Sequence, residues 1–302
     1  MPDLDFAFFN LINTNKRGLA FKKFFLDRLA PIFFAPRIER LIDLPQLNLR
    51  GCNIKLPLGQ GNLDTLNPDN QRDILNKSNI LLSSYQLQTM AVDRRLKPQF
   101  INLASEFKPI FGDDFIKALV LVLIRECLSK RKMEKIIIVG NPEELAYFIE
   151  ELTIYDLPLS LQHWNPSRYE LLAHRLLYEK GYAVSISLLS PENWKKKDLV
   201  IILDFDRQQI AIRYPDPVYI RLNNHSFNIA PQLEKCLLNS GIDARLHNLA
   251  PIMESCFLAK AGFLYLGEER DKANYKDGKN FIYLQEIGDE LGLWDLFLDK
   301  VI

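Results

Sequence analysis

Glycine is scarce in this chain: 13 of 302 residues, about 4% where globular proteins carry roughly 7%. Loops that wrap phosphate groups depend on glycine, so the deficit weighs against a conventional nucleotide cradle. Long hydrophobic runs are missing too. The longest strongly apolar stretch, residues 118–124, falls far short of the ~20 residues a bilayer span needs. The four cysteines (Cys52, Cys127, Cys236 and Cys256) are widely separated. With no CxxC pair, neither a zinc ribbon nor a disulfide framework is expected, and a reducing cytoplasm is. The four histidines (His163, His174, His225 and His247) lack metal-binding spacing. There is no surplus of either charge, with 38 basic and 38 acidic residues, so binding to nucleic acid through overall positive charge is not expected. The opening Met-Pro-Asp-Leu-Asp has no basic n-region, and no secretory leader is expected from it.

What is present divides unevenly. Residues 1–112 read as an N-terminal α/β domain, completed by C-terminal helices over 252–302. Eight of nineteen phenylalanines fall between Phe6 and Phe34, interleaved with lysines and arginines. Phe21, Phe24, Phe25 and Leu29 share one helical face over residues 19–30. Such a helix either packs on its own domain or makes peripheral membrane contact through residues 19–34. Residues 53–58 read as a strand, and so do residues 79–85.

From Asp113 onward strands and helices alternate. Asp114 is positioned to cap a long helix that is apolar nearly all round, which predicts burial between two domains. Short β-branched or fully apolar strands follow at 135–140, 157–164, 183–189, 199–205 and 218–222. The helices between and after them read as 142–154, 167–179, 231–239, 252–266 and 284–301. Residues 113–251 therefore predict a mostly parallel sheet covered on both faces, the grammar of a Rossmann-like α/β domain.

A strand ending in glycine and feeding a helix is where such a fold seats a pyrophosphate. Here the turn reads Gly140-Asn141-Pro142-Glu143-Glu144-Leu145, keeping only the first glycine of G-x-G-x-x-G. Pro142 has no N–H, and two glutamates stand where an anion would bind. Gly140 and Asn141 are the candidate phosphate contacts. After the next strand, Gln162-His163-Trp164-Asn165-Pro166-Ser167-Arg168 has no acid for a ribose 2′-hydroxyl. Asn165 and Arg168 become candidate cofactor ligands, with Arg168 suited to a 2′-phosphate, so any dinucleotide is expected to be NADP(H), weakly held. The alternative is a capped helix start with a solvated arginine.

Several segments together carry a family resemblance. Phe9-Asn-Leu-Ile-Asn-Thr-Asn, Gly51-Cys-Asn-Ile-Lys-Leu, Asn165-Pro-Ser-Arg and Met253-Glu-Ser-Cys-Phe-Leu-Ala-Lys-Ala resemble the shikimate-dehydrogenase-like superfamily, and within it the long-chain acyl-[acyl-carrier-protein] reductases. The resemblance implies that Cys256 carries an acyl thioester and that NADPH reduces the enzyme-bound thioester to an aldehyde. Read from the residues themselves, activation of this thiol needs His247 or the helix N-terminus. Acyl-carrier protein or acyl-CoA would be the partner. Against this stand the lost glycines, at the phosphate turn and at 222–225 and 246–248. They keep open a second reading, a non-catalytic descendant of the dehydrogenase fold that serves as a binding or scaffolding module.

Overall fold

The computed structural model describes residues 4–12, 15, 17–18, 22–85, 87, 89–101, 108–203, 217–222, 229–262 and 279–298. The first sheet contains β1 (Phe6–Leu11), β2 (Arg37–Leu44), β3 (Leu49–Leu56), β4 (Thr89–Val92) and β5 (Lys108–Ile110), in the order β2-β3-β1-β4-β5. It is parallel except for the antiparallel edge strand β2. β1 is central, and all six of its residues are buried. Alternation decides what each face meets. Ala7, Phe9 and Leu11, with Ile54, Leu56, Met90 and Val92, join one core cluster together with Leu26 of α1 (Lys23–Phe33), Leu63 of α2 (Gln60–Thr65), Leu75 of α3 (Pro68–Ser84) and Phe100 of α4 (Lys97–Ile101). Phe6, Phe8 and Ala91 face the other way, into the larger core around α5 (Asp113–Lys130).

The second sheet is built from β6 (Lys135–Val139), β7 (Leu159–His163), β8 (Val184–Leu188), β9 (Asp198–Ile202) and β10 (Val218–Arg221). Every pairing in it is parallel, in the order β10-β9-β6-β7-β8. Counted from β6 this is the doubly wound Rossmann order, whose switch point lies between β6 and β9. β6 and β9 are interior, as their unbroken apolar runs predict. The helices accompanying the sheet are α6 (Pro142–Leu152), α7 (Glu170–Lys180) and α8 (Pro231–Asn239). The chain continues into α9 (Leu246–Lys260), α10 (Asn280–Glu290) and α11 (Asp295–Leu298). α5 lies in the core shared by both sheets, with Phe115, Ala118 through Ile124 and Cys127 buried. The fold is α/β with mostly parallel sheets.

Four local expectations are corrected. Residues 79–85 are the end of α3 rather than a strand. Asn67 caps that helix by accepting from the Asp69 and Asn70 N–H groups, Pro68 starts it, and Leu75, Ser78 and Leu82 keep helical spacing on its buried side. Residues 166–169 form a 3-10 turn ahead of α7. α9 begins at Leu246, not 252, and holds Pro251 inside. Finally, Asp114 does not cap α5. Its N-cap is Gly112 at φ +79°, with no side chain to offer. The cap comes instead from the Glu254 carboxyl group of α9, whose Oε2 accepts from the Asp114 N–H at 3.1 Å and the Phe115 N–H at 3.0 Å. Gly112 is required twice over, because a Cβ there would lie 2.4 Å from the Ala250 carbonyl carbon.

Candidate functional site

The carboxyl end of the second sheet gathers the four residues predicted to contact a cofactor. Gly140 follows β6, Asn141 stands at the N-cap position of α6 without a side-chain cap bond, and Asn165 and Arg168 lie in the turn after β7, with Arg168 exposed. Tyr169, fully buried, joins the two turns by donating its hydroxyl to the Gly140 carbonyl at 2.8 Å. The Asn165 side chain accepts from Ser167 Oγ at 2.7 Å, and its backbone N–H donates to His163 Nδ1 at 2.9 Å.

The phosphate-binding turn itself is closed. A G-x-G-x-x-G pattern starting at Gly140 would place its later glycines at 142 and 145, where this chain has Pro142 and Leu145. The Leu145 side chain is buried, with Cδ1 2.6 Å from the position of a Cβ on Gly140 and Leu203 Cβ 3.5 Å from it. Beyond the ends of β6 and β9, the Leu203 N–H still donates to the Val139 carbonyl at 2.9 Å. So the strands stay paired at the switch point, and Gly140 serves side-chain packing. These residues do not fit a dinucleotide pyrophosphate.

The predicted catalytic pair is also placed where it cannot act together. Both residues lie on α9, nine positions apart. At ~100° and ~1.5 Å per residue, that sets them on opposite sides of the helix and about 13.5 Å apart along it. Cys256 is completely buried, and burial pushes its thiol well above the ordinary range. A buried, protonated thiol is a small apolar packing group, not a nucleophile. His225 lies outside the described residues. Among the described residues no group of three or more His, Cys, Asp or Glu is arranged to hold a metal ion.

A different polar cluster, which the sequence reading missed apart from His247, lies at the carboxyl ends of the first sheet. Strand alternation puts Asn10 on the same face as Phe6 and Phe8, and Asn53 and Asp93 on the matching face of β3 and just after β4. α9 runs across this face. Asn53 Nδ2 donates to the Ser240 carbonyl at 3.2 Å, fixing the segment between α8 and α9 over β3. Asn248 Nδ2 donates to the Asp243 carbonyl at 2.9 Å. Asp93, 0% exposed, is held by Arg95, whose Nε lies 3.0 Å from both carboxylate oxygens.

His247 faces this ion pair. It is 4% exposed, and burial pulls its pKa down to about 4, with Asp93 and Asp243 pushing up by less and Arg95 and Arg245 adding a little to the fall. Neither ring nitrogen has a hydrogen-bond partner among the described residues. The same holds for the side-chain oxygens of Asn10, Asn53 and Asn248, all buried. Buried polar atoms normally have partners, so among the described residues this face concentrates unmet hydrogen-bonding capacity. The charges nearby are already matched: Asp93 with Arg95, Asp243 with Arg245 at 2.9 Å, and Lys55 with Glu39 at 2.8 Å. Among the described residues named here, the donors and acceptors without a partner are neutral.

No family model and no curated protein matches the chain. Among solved structures it is similar to the L-tryptophan dehydrogenase of Nostoc punctiforme, at 12% identity and a TM-score of 0.47, over 96% of this chain and 82% of that one. It is also similar to the shikimate 5-dehydrogenase of Thermus thermophilus in complex with NADP(H) and shikimate, at 13% identity and a TM-score of 0.30, over 95% and 99% of the two chains.

Proposed function

We propose that this chain is a non-catalytic binding module on a dehydrogenase-like Rossmann framework, and that it takes a small, uncharged, hydroxyl-bearing ligand between the first sheet and α9. The observation that carries this reading is His247, buried with both ring nitrogens unpartnered among the described residues, on a face that also holds three carboxamides whose oxygens lack a described partner. A neutral imidazole gives one donor and one acceptor, and carboxamides accept or donate as their orientation requires. An ionic ligand would bring an uncompensated charge into a site whose own charges are paired.

The competing reading is an NADP(H)-dependent acyl-thioester reductase served by acyl-carrier protein or acyl-CoA. It has one observation in its favour, the exposed Arg168 in the turn after β7, next in sequence to the Tyr169 that bonds the Gly140 carbonyl. It also requires Leu145 to leave Gly140 and Cys256 to leave the core.

One melting experiment on the full chain separates the two. A panel of neutral polyols and cyclitols at millimolar concentration is expected to raise the melting temperature, and His247→Leu to abolish the rise. Saturating NADPH is expected to leave it unchanged, where a ligand at 100 times its Kd adds ~2.7 kcal/mol. A rise with NADPH and none with the polyols would overturn the binding-module reading.

A further inference from the structure

One helix presents an apolar face to the outside. In α1, Leu26 is fully buried against the core that α3 also joins, while Phe24 is 71% exposed, Phe25 46%, Ile32 71% and Phe33 68%. Phe24 and Ile32 recur at i and i+8 with Arg28 between them at i+4, so the three form one outward stripe. Phe25 adjoins the stripe, its ring edge-on to Phe24 at 5.5 Å. Large aromatic side chains rarely stand this far from their own core, and clustered exposed apolar side chains mark an interaction surface.

The charges around the patch have one sign. Arg17, Lys22, Lys23 and Arg28 are exposed. The acid of this helix, Asp27, is turned inward, where it accepts from the Asn67 N–H at 2.7 Å and its backbone carbonyl accepts from Asn70 Nδ2 at 2.8 Å. The packed helix α3 brings Asp69, Arg72, Asp73 and Lys77, which sum to no net charge. Phenylalanines outward on a short helix, ringed by lysine and arginine, are the composition that settles at the headgroup boundary of an anionic bilayer. No described helix is long and apolar enough to cross a membrane, so the contact is with one surface.

We infer that the outer face of α1 is a docking surface for an anionic lipid membrane. Phe24, Phe25 and Ile32 enter the headgroup–acyl boundary, and Arg28, Lys22 and Lys23 meet lipid phosphates. This surface is separate from the polar site under α9 and independent of that reading.

Co-sedimentation with vesicles tests it directly. The full chain is expected to pellet with vesicles containing 30 mol% phosphatidylserine or phosphatidylglycerol, much less with pure phosphatidylcholine, and to release in 0.5 M salt. The double variant Phe24→Ser/Phe25→Ser should lose roughly tenfold or more in partitioning. Lys22→Glu/Lys23→Glu should lose the preference for anionic lipid. Unchanged circular dichroism and melting of the variants establish that the fold is intact, which the exposure of these residues makes the expected result. No pelleting with anionic vesicles, or equal pelleting by the serine variant, would overturn the inference. So would a concentration-dependent dimer in sedimentation velocity that the serine variant abolishes, because a second copy of the chain would then be what covers the face.

Discussion

Leu145 and Gly140 share one space: the leucine Cδ1 lies 2.6 Å from where a side chain on the glycine would begin. A turn that in other folds of this order opens for phosphate is here filled by the helix that follows it.

Gly140→Ala is therefore expected to destabilise the chain by about 1–3 kcal/mol, the cost of overpacking a filled core. In a Leu145→Ala background the same substitution should cost much less, because its obstacle has gone. Urea denaturation of the four combinations measures the coupling. Additive costs would show that the leucine is not what excludes a side chain at 140.

Glu254 makes stability fall with rising pH. Burial, with Asp114 nearby, pushes its carboxyl up to about 8. The unfolded chain releases this proton near 4.5 while the folded chain keeps it. Stability is thus full below about pH 4.5 and is lost as pH climbs through 8, at up to ~1.4 kcal/mol per pH unit. Glu254→Gln retains an oxygen for the Asp114 and Phe115 N–H groups and should flatten that limb. Melting profiles between pH 5 and 9 check this, and an unchanged slope in the glutamine variant would refute it.

His247 acts at the other end of the scale. Its pKa is lowered to about 4 by burial, so the unfolded chain takes up a proton near 6.5 that the folded chain refuses. Its contribution is present above pH 6.5 and disappears as pH falls through 4. His247→Leu should flatten this acid limb. Urea midpoints of the two proteins between pH 4 and 7 decide the point, and parallel curves would exclude the histidine as the cause.

Thiol labelling distinguishes the cysteines. Cys52, Cys127 and Cys256 are buried and Cys236 is partly exposed, so one thiol per native chain should react promptly with an aromatic disulfide reagent and four in denaturant. Cys256→Ala should leave that native count unchanged and cost ~1 kcal/mol or more through the small cavity it creates. Rapid native labelling at Cys256, followed by mass spectrometry, would restore it as a nucleophile.

Much of the second sheet was legible because runs such as Ile136 to Val139 carry no alternation, which only a strand buried on both faces tolerates. β1 was not read as a strand, since its phenylalanines merged with the aromatic-and-basic segment after it and its partners lie 40 or more residues away. The helix read from 252 begins at Leu246, with Pro251 in its interior, because only tertiary packing tells an interior proline from one that bounds a helix. At the candidate site, Asp93, Arg95, Asn10 and Asn53 sit on separate strands and turns without motif spacing. One signal was available. In Phe6, Phe8, Asn10 a polar residue occupies the third place of an inward-facing register, where burial demands a partner.

The cap that Glu254 places on α5 also has a bearing on the order of events during synthesis. The helix begins at residue 113, yet the carboxyl group that satisfies its first N–H groups arrives about 140 residues later, on the same helix that covers Phe6 and Phe8. A nascent chain ending before residue 246 carries all five strands of the first sheet but lacks the helix that crosses its Phe6 and Phe8 face and the cap on α5. The first part of the polypeptide to be made is thus among the last to be completed.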